Sequence, residues 1–505
     1  MKRALPVVLS LASLSACAGG APAVGPPPRA TPTGALSQRA LSPGAAPPAA
    51  HAPAAPYRYR ATVGEGAREL TIEAEIPPTC TDELRLDQGT EPFLRDVKVS
   101  TGGPFIPLAV ATSADGERAL RLPPCPPEGC RLRYRFALGE AADALGTLGA
   151  AARHRALLLS PPSAWLLHPV DPPPGEPFSL EVATPPGLSF ATGLFRAGGS
   201  GADRVDRYGA DLSDLSRAPY SAFGALRVLT LDVAGQEIQV AFAPGAFAAG
   251  DGALLTWVEK NAQIVADYCG RAPLRRALVL LLPEEGHGIT YARVLGNGGA
   301  SIVVPLGERT SAEELDGSWE LLHEMLHTAF PNLSSAHAWL EEGMATYLEP
   351  LLRARRGLIS AEEAFHRLSR RMDEGLPAPG DRGLDHTPTW GRTYWGGALF
   401  CLLADLEIRE KSGGARSLDD AIRAIVAAGG NVSDRWPIEQ VIAAGDRGTG
   451  LTVLADLHAK MGSAPVMIDL PALWKKLGVI PGPTGARFDD GAPLAPLRKA
   501  MVAQR

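Results

Sequence analysis

The sequence predicts a multidomain α+β fold: a β-rich, sandwich-like N-terminal domain, a domain of mixed strands and helices, and a C-terminal α-helical domain. A chain of 505 residues is long enough for two or three domains, each with its own core. Up to about residue 245, apolar and polar residues alternate, which is typical of half-buried strands. Beyond that point, amphipathic stretches indicate helices, and two short apolar runs indicate buried strands.

The N-terminus has the features of an export signal. Lys2 and Arg3 precede an apolar run that is too short to span a bilayer. The run ends in Leu-Ser-Ala-Cys, which resembles a bacterial lipobox, in which Cys17 becomes the lipid-carrying N-terminal residue. Residues 1–17 are therefore predicted to be a lipoprotein signal peptide, and an ordinary secretory signal cleaved nearby is the alternative.

The residues after the lipobox suggest a location. Ala18 rather than an aspartate follows Cys17, and by resemblance to sorting signals of Gram-negative bacteria this implies the outer membrane, with the folded body facing the periplasm or the surface. Residues 18–56 are almost entirely Ala, Pro, Gly, Ser and Thr, which cannot form a core, so they are predicted to be a disordered tether. The net charge of −6 and the lack of a basic stripe exclude a nucleic-acid partner.

Export to an oxidising compartment allows disulfides. Cys125 and Cys130 flank a short loop of proline and glycine and are predicted to form a disulfide, although Cys80 could compete for either partner. Cys269 and Cys401 lie in apolar helical stretches and are predicted to be buried thiols. The spacing of the cysteines does not indicate a metal site.

The N-terminal domain, residues 57–245, is predicted from apolar residues with a period of two. In LTIEAEI, residues 70–76, the apolar side chains would face the core and the polar ones the solvent. Residues 131–138, 178–184 and 237–243 alternate in the same way, and turns rich in proline and glycine separate the runs. Antiparallel strands in a sandwich are therefore expected.

Longer elements follow. Residues 251–270 are predicted to be an amphipathic helix that ends at Gly270. Residues 277–283 and 299–307 are predicted buried strands, and two further helices lie on either side of Pro331. Helices dominate residues 353–505, where the capping pairs are Ser360 with Glu363 and Ser417 with Asp420.

The stretch SWELLHEMLHTAFPN, residues 318–332, carries the most specific motif. His323 and His327 are four residues apart, so on a helix they project from one face and can bind one Zn²⁺ together. Glu324 follows the first histidine and can act on a water at the metal without being a ligand. The alternative is an ordinary helix whose apolar stripe the histidines merely continue.

The next helix offers a third ligand. Its sequence WLEEG, residues 339–343, resembles the W-x-x-E-G of gluzincin zinc metallopeptidases, relatives of aminopeptidase N and thermolysin, whose glutamate completes the zinc site. The resemblance assigns this role to Glu342, with Glu341 as the alternative. It also implies that Glu349 accepts a hydrogen bond from a ligating imidazole. The implied cofactor is one Zn²⁺ per chain, held in a thermolysin-like catalytic domain over residues 246–352.

A later stretch makes the resemblance to the gluzincins more specific. YWGGA, which begins at Tyr394, resembles the Y-x-K-G-A of gluzincins, whose tyrosine hydroxyl stabilises the oxyanion. A packed aromatic at a helix start is the alternative. This segment and residues 214–224 are similar to the glycyl aminopeptidase family, and the similarity runs from about Leu158 onward. The lysine of that motif is Gly396 here, and the C-terminal PDZ domain usual in the family is not expected.

The predicted function is zinc-dependent hydrolysis of peptide bonds in a peptide or protein substrate, on a protein held at the membrane by its lipid anchor. Glu324 would take a proton from water, and Tyr394 would stabilise the oxyanion. The acidic exopeptidase signature of the relatives is missing from the glycine-rich part of residues 286–307, so cleavage within a peptide, or of broad specificity, is predicted. The alternatives are an aminopeptidase of the glycyl aminopeptidase type and a non-catalytic, metal-retaining binding lipoprotein.

Several other residues are weaker candidates for the active site. The backbone of the glycine-rich stretch could pair with an extended substrate as an added strand. His386 is a further candidate for the cleft, a solvated loop histidine being the alternative, and Glu284 and Glu285 could replace the missing acids only if their loop folds back. The candidates for substrate binding are Gly298, Gly299, Ala300, Ser301 and His337.

Overall fold

A computed structural model describes residues 57–78, 83–112, 118–170, 172, 175–198 and 205–504. The predicted signal peptide with Cys17, the predicted tether and Cys80 lie outside the described residues. No helix within these ranges combines the length and the apolar character needed to cross a bilayer.

The first part of the chain is built from strands, as expected. In the stretch from Leu70 to Ile76 every apolar side chain is buried and every polar one is exposed, because neighbouring residues of a strand point to opposite faces. One short helix, α1 (Leu138–Leu145), follows the eighth strand. The strands are β1 (Tyr57–Val63), β2 (Leu70–Ile76), β3 (Glu83–Arg85), β4 (Leu94–Ser100), β5 (Ile106–Pro107), β6 (Ala111–Thr112), β7 (Arg118–Arg121), β8 (Cys130–Phe136), β9 (Ala152–His154), β10 (Leu157–Leu159), β11 (His168–Pro169), β12 (Pro177–Ala183), β13 (Ser189–Thr192), β14 (Arg196–Gly198), β15 (Val205–Asp211) and β16 (Ser221–Gly224).

These strands form layered sheets around one core. In the described part, the largest sheet has the order β14-β15-β12-β1-β2-β8-β4-β5, and two smaller sheets have the orders β13-β16-β10-β9 and β11-β3-β7-β6. Only the β1–β12 pair of the largest sheet is parallel in the described register. Phe190 of β13 contacts Tyr208 of β15 and Phe223 of β16, with ring centroids 5.6 and 4.8 Å apart. Apolar faces of different sheets thus share a core, as a sandwich-like domain requires.

A second sheet follows, covered on both faces. One face of its central strand carries Val279 and Leu281 and packs on helices, while the other carries Leu278 and Leu280 and packs on the small N-terminal sheet. Burial on both faces explains the uninterrupted apolar run in this strand. The elements are β17 (Arg227–Val233), β18 (Gln236–Phe242), α2 (Gly250–Cys269), β19 (Arg276–Glu284), β20 (Arg293–Gly296), β21 (Ala300–Gly307), α3 (Ala312–Gly317), α4 (Glu320–His327) and α5 (Ala338–Arg355).

The order of the second sheet is β17-β18-β19-β21-β20. Strands β18, β19 and β21 are parallel, and β20 is an antiparallel edge strand. Strands β17 and β18 fall within the residues predicted for the N-terminal domain, whereas their hydrogen bonds join them to this sheet. The helix α2 ends as expected, because Gly270 adopts a left-handed conformation with φ of 75°.

Helices make up most of the remaining chain and share one apolar core with the second sheet. Ser360 accepts the amide of Glu363, and Ser417 and Asp420 form a reciprocal capping box, as their sequences indicate. A π-helical turn, Arg392–Gly396, precedes the longest of these helices. The elements are α6 (Ala361–Arg371), α7 (Gly397–Lys411), α8 (Leu418–Ala427), α9 (Ile438–Thr449), α10 (Val453–Met461), α11 (Leu470–Leu477), β22 (Val479–Ile480), β23 (Arg487–Phe488) and α12 (Ala495–Val502).

The cysteines within the described residues have two environments. The structure joins Cys125 to Cys130 by a disulfide, with Cα atoms 5.2 Å apart. Cys269 and Cys401 are free and buried, as predicted. Burial raises the pKa of the Cys269 thiol to about 12, so this thiol stays protonated and acts as a small apolar side chain.

Asp214, at the junction between the first two domains, makes stability depend on pH. Burial, and next the negative charge of Asp211, raise its pKa to about 7, and Asp434 adds to the rise. Because this pKa lies above that of an unfolded aspartate, the neutral form favours the folded state. Its contribution is fully present near pH 4 and is lost as the pH rises towards 7 and above.

The variant Asp214→Asn is therefore expected to have a higher Tm than the wild type at pH 8 and a similar Tm at pH 4. Thermal unfolding at both pH values measures this difference. A Tm that falls by the same amount at both pH values would contradict this account of Asp214.

Candidate metal centre and cleft

The helix α4 holds the two histidines in place because its other face is apolar. Leu321, Leu322 and Leu326 are fully buried in the core beneath the helix. His323 and His327 lie on the adjacent face, one turn apart, and their residues are only 5% and 7% exposed. The spacing in the sequence thus places two imidazoles side by side, with ring centroids 5.1 Å apart.

The helix α5 brings a carboxylate to the same point. Glu342 Oε2 lies 3.3 Å from His323 Nε2 and 3.4 Å from His327 Nε2. One ligand atom from each of these three side chains lies within 4.8 Å of the other two. Neighbouring Glu341 points elsewhere, and its Oε1 accepts the amide of Leu333 at 2.6 Å. Of the two adjacent glutamates, Glu342 is therefore the one that faces the histidines.

The donor set fits a zinc ion. Ligand atoms about 2.0–2.2 Å from a tetrahedral Zn²⁺ lie about 3.3 Å from one another, and the two nitrogen–oxygen distances agree with this spacing. Two imidazoles and one carboxylate leave a fourth position open, as in catalytic rather than structural zinc sites. The residues His323, His327 and Glu342 would hold the cation.

The charged histidines and glutamates at this centre strongly shift one another's pKa values. Burial is the largest single influence on His327 and on Glu342 and opposes charge on both, but the combined attraction of the oppositely charged neighbours outweighs it. The carboxylates of Glu342 and Glu324 thus raise the pKa of His327 to about 9, and the histidines lower the pKa of Glu342 well below its usual range. A cation that binds here takes the place of the proton on His327.

Glu324 lies beside the ligands, half-buried. Burial raises the pKa of its carboxyl, while the charges of His327 and His323 and the backbone amide of Val294 lower it. The net effect is a pKa above the usual range, which makes its carboxylate a better proton acceptor.

Tyr394 reaches the centre from the π-helical turn. Its ring stacks on His323, with centroids 6.4 Å apart, and on Trp390, with centroids 5.5 Å apart. Its hydroxyl donates a hydrogen bond to Glu342, and burial together with the charges of Glu342 and Glu324 raises its pKa well above the usual range. The hydroxyl therefore stays protonated and remains a hydrogen-bond donor.

Glu349 lies two turns after Glu342 on α5 and is 5% exposed. The guanidinium of Arg353 donates to its Oε1 at 3.3 Å. Burial raises the pKa of Glu349, and the charges of Arg353 and Arg367, and then His323, lower it. The hydrogen-bond partner that the structure gives this carboxylate is thus an arginine, rather than the imidazole that the resemblance implies.

A cleft of about 870 Å³ opens onto the centre. Tyr291 and Ala292, which lead into the edge strand β20, form one wall. The other lining residues come from α4, α5 and α6, from the segment before α7, from Thr290, and from the turn between β22 and β23. They include Trp319, Glu320, His323, Glu324, Thr346, Glu349, Glu363, Arg367, Arg370, Arg371, Trp390, Tyr394, Trp395, Pro483 and Thr484.

The glycine-rich stretch is not available to substrate, which corrects the prediction for Gly298, Gly299, Ala300 and Ser301. The amide of Phe195 donates to the carbonyl of Gly298 at 3.0 Å, and a β-bridge joins Leu194 to Gly299. Ala300 and Ser301 are fully buried, and Ser301 Oγ donates to the carbonyl of Tyr220. This backbone binds the N-terminal domain, so the four residues serve packing.

The remaining residues that were predicted to lie at the active site are found outside the metal centre. His337 faces Asp385 and His458 at the start of α5. His386 is exposed. Glu284 accepts the hydroxyl of Thr290 at 2.7 Å at the end of β19. The edge strand β20 and Trp390 are not predicted from the sequence, since neither has a motif that distinguishes it from an ordinary strand or loop residue.

Known proteins resemble the chain in structure and not in sequence. No protein-family model and no curated protein sequence matches it. An aminopeptidase N family protein from Idiomarina loihiensis has a TM-score of 0.65 at 16% identity, covering 84% of this chain and 78% of that one. An M1 zinc metallopeptidase from Deinococcus radiodurans has a TM-score of 0.53 at 18% identity, covering 83% and 95%.

A point variant of an M1 zinc metallopeptidase from Deinococcus radiodurans, bound to a Tyr-Ser-Ala substrate, matches with a TM-score of 0.53 at 17% identity, covering 83% and 95%. At these identities the likeness is one of fold. The chain has the multidomain α+β architecture of M1 aminopeptidase-like proteins, with a sheet-rich N-terminal region and a helical C-terminal part.

Proposed function

We propose that this chain is a zinc-dependent peptidase. The observation that carries the proposal is the convergence of His323, His327 and Glu342 on one point, with Glu324 and Tyr394 beside it in an open cleft. Structural neighbours described as M1 zinc metallopeptidases support this proposal, one of them bound to a peptide substrate and another to L-tryptophan.

Each side chain has a defined role. His323, His327 and Glu342 would hold Zn²⁺, which when bound would supply a Lewis acid for the scissile carbonyl and for water. Glu324 accepts the proton of the attacking water and passes it to the leaving amine. The hydroxyl of Tyr394 donates a hydrogen bond to the carbonyl oxygen as negative charge develops there. Glu349 lines the cleft and forms a buried ion pair with Arg353 on the same helix.

The edge strand β20 provides the binding surface for an extended peptide. It is the last strand of its sheet in the described register, and α4 lies directly against it. A peptide that pairs with an edge strand receives main-chain hydrogen bonds whatever its side chains are. This mode of binding suits cleavage of broad specificity.

Cleavage within a peptide, or of broad specificity, is the proposed activity, and an aminopeptidase of the glycyl aminopeptidase type is the alternative. The acids that line the cleft beyond the metal centre have partners: Glu363 pairs with Arg367 at 2.8 Å, and Glu320 accepts the amide of Trp319 at 2.9 Å. Each of these two carboxylates therefore already contacts a group of the chain itself.

A peptide library with free and acetylated amino termini tests this proposal, with products identified by mass spectrometry. Cleavage of acetylated peptides at internal bonds is the expected result. Release of single residues from free termini alone would establish the aminopeptidase alternative. Zinc binding without cleavage of either set would instead support the binding lipoprotein, for which Glu324 has no evident use.

The variant Tyr394→Phe is expected to keep its zinc and its KM and to lose about 10²-fold in kcat, since it removes one donor to the oxyanion. Steady-state kinetics and elemental analysis measure the three quantities. A kcat within twofold of the wild type would exclude the oxyanion role.

Anchoring through Cys17 belongs to the same proposal. The lipobox and the segment that follows it would place the peptidase at the outer membrane of a Gram-negative bacterium, away from the bilayer surface. Labelling of the wild type, but not of Cys17→Ser, with radioactive palmitate in such a cell tests the anchor. Equal labelling of both would contradict it.

A further inference from the structure

A second cluster of side chains that can bind a metal lies at the N-terminal end of α5, the helix that carries Glu342. His337 precedes α5, Asp385 lies in the loop before the π-helical turn, and His458 lies on α10. One ligand atom from each lies within 4.8 Å of the other two. Because three separate segments of the chain supply one side chain each, the cluster is a feature of the fold.

The donor atoms are close enough together to share one cation. Asp385 Oδ2 lies 3.0 Å from His458 Nε2, and Asp385 Oδ1 lies 3.7 Å from His337 Nε2. These values bracket the spacing of about 3.3 Å between ligand atoms around tetrahedral Zn²⁺. The three side chains are 14–22% exposed, so a cation from solvent can reach them.

Outer contacts orient the donors. The indole of Trp339 donates to Asp385 Oδ1 at 2.9 Å, which leaves Oδ2 turned towards His458. Ser334 Oγ lies 3.0 Å from His337 Nδ1, and this contact fixes the ring with Nε2 facing the carboxylate. Trp339 also stacks on His458, with ring centroids 6.1 Å apart. Hydrogen bonds of this kind to the far side of a ligand are typical of metal sites.

The backbone around the cluster is built for close approach. Gly383 has φ of 95°, and a Cβ there would lie 2.3 Å from the carbonyl oxygen of Gly462. A Cβ on Gly462 would lie 2.6 Å from Asp385 Oδ2. Two glycines therefore allow the loop to carry Asp385 against the end of α10, within reach of His458.

We propose that His337, Asp385 and His458 form a second site for a divalent transition-metal cation, with Zn²⁺ the best-fitting occupant. Two imidazoles and one carboxylate suit zinc better than magnesium or calcium, which prefer oxygen ligands. The cation would tie the loop of Asp385, which leads to Trp390 and Tyr394, to the start of the helix that carries Glu342. This donor set, too, leaves a fourth position open to water. The effect proposed for the cation is to hold these segments together, and the chain would bind two cations rather than one.

Zinc content after reconstitution with Zn²⁺ and exhaustive dialysis tests the proposal. The wild type is expected to retain two equivalents per chain, and His458→Gln one. Glutamine keeps a hydrogen-bond donor for Asp385, so this variant should fold. The matched control is His386→Gln, which changes an exposed histidine next to Asp385 and should retain two equivalents.

Variants of the first centre separate this proposal from the proposed peptidase. His323→Gln is expected to keep one equivalent, and added Zn²⁺ should still raise its Tm, whereas the double variant with His458→Gln should bind no zinc and show no such rise. Co²⁺ bound to His323→Gln should give the visible absorption of a cobalt site with nitrogen and oxygen ligands. No zinc in His323→Gln, or two equivalents in His458→Gln, would overturn the second site whatever the peptidase assays show.

Discussion

The variant Glu324→Gln is expected to lower kcat/KM for peptide cleavage by about 10³-fold while zinc remains bound. Glutamine has nearly the same shape as glutamate but cannot accept the proton of the attacking water. The ligands His323, His327 and Glu342 are unchanged, so the zinc content should equal that of the wild type. Initial rates on one internally cleaved peptide, with elemental analysis of the same preparation, measure both quantities.

A second substitution at this position sharpens the test. Glu324→Asp keeps the carboxylate but draws it back by one methylene, and an intermediate loss of activity is expected. If Glu324→Gln retained more than a tenth of the wild-type activity with its zinc in place, another group would have to be the general base. Loss of zinc from Glu324→Gln would show a role in metal binding instead.

Gly343→Ala is expected to destabilise the protein by about 3 kcal/mol and to reduce cleavage. Here α5 crosses α7 in backbone contact, and a Cβ on Gly343 would lie 2.2 Å from the carbonyl carbon of Gly397. A Cβ on Gly397 would lie 1.9 Å from the carbonyl oxygen of Trp339. The obstacle is backbone rather than a flexible side chain, so the helices must separate, and Glu342 and Tyr394 move with them.

The control for this variant is Gly252→Ala in α2. A Cβ there meets no atom within 4 Å, so the free energy of unfolding should be unchanged or rise by up to about 1 kcal/mol. Denaturation by urea measures both variants. A Gly343→Ala protein within 1 kcal/mol of the wild type would show that the contact between α5 and α7 can relax without cost, contrary to the packing described above.

Local patterns in the sequence were sufficient to predict several of the strands and the ligand helices. The alternation in residues 70–76 matches the burial of β2, and Gly270 ends α2, since each depends on neighbouring residues alone. The spacing of His323 and His327 required only a helix to place both rings on one face.

Long-range pairing could not be predicted in the same way. Strand β18 has an alternating pattern, yet its Gln239 is buried and accepts a hydrogen bond from Arg276 of the neighbouring strand. Glycines 298 and 299 resemble an open loop in sequence and are held by Phe195 and Leu194, about 100 residues earlier. His458 lies in an ordinary helix, and only the folded chain brings it to Asp385.

Anomalous diffraction at the zinc absorption edge, from crystals of the protein purified with zinc, tests the central claim most directly. The account predicts a strong peak within bonding distance of His323 Nε2, His327 Nε2 and a carboxylate oxygen of Glu342, about 2.0–2.2 Å from each. An ordered centre with these three side chains in place and no peak between them would contradict it.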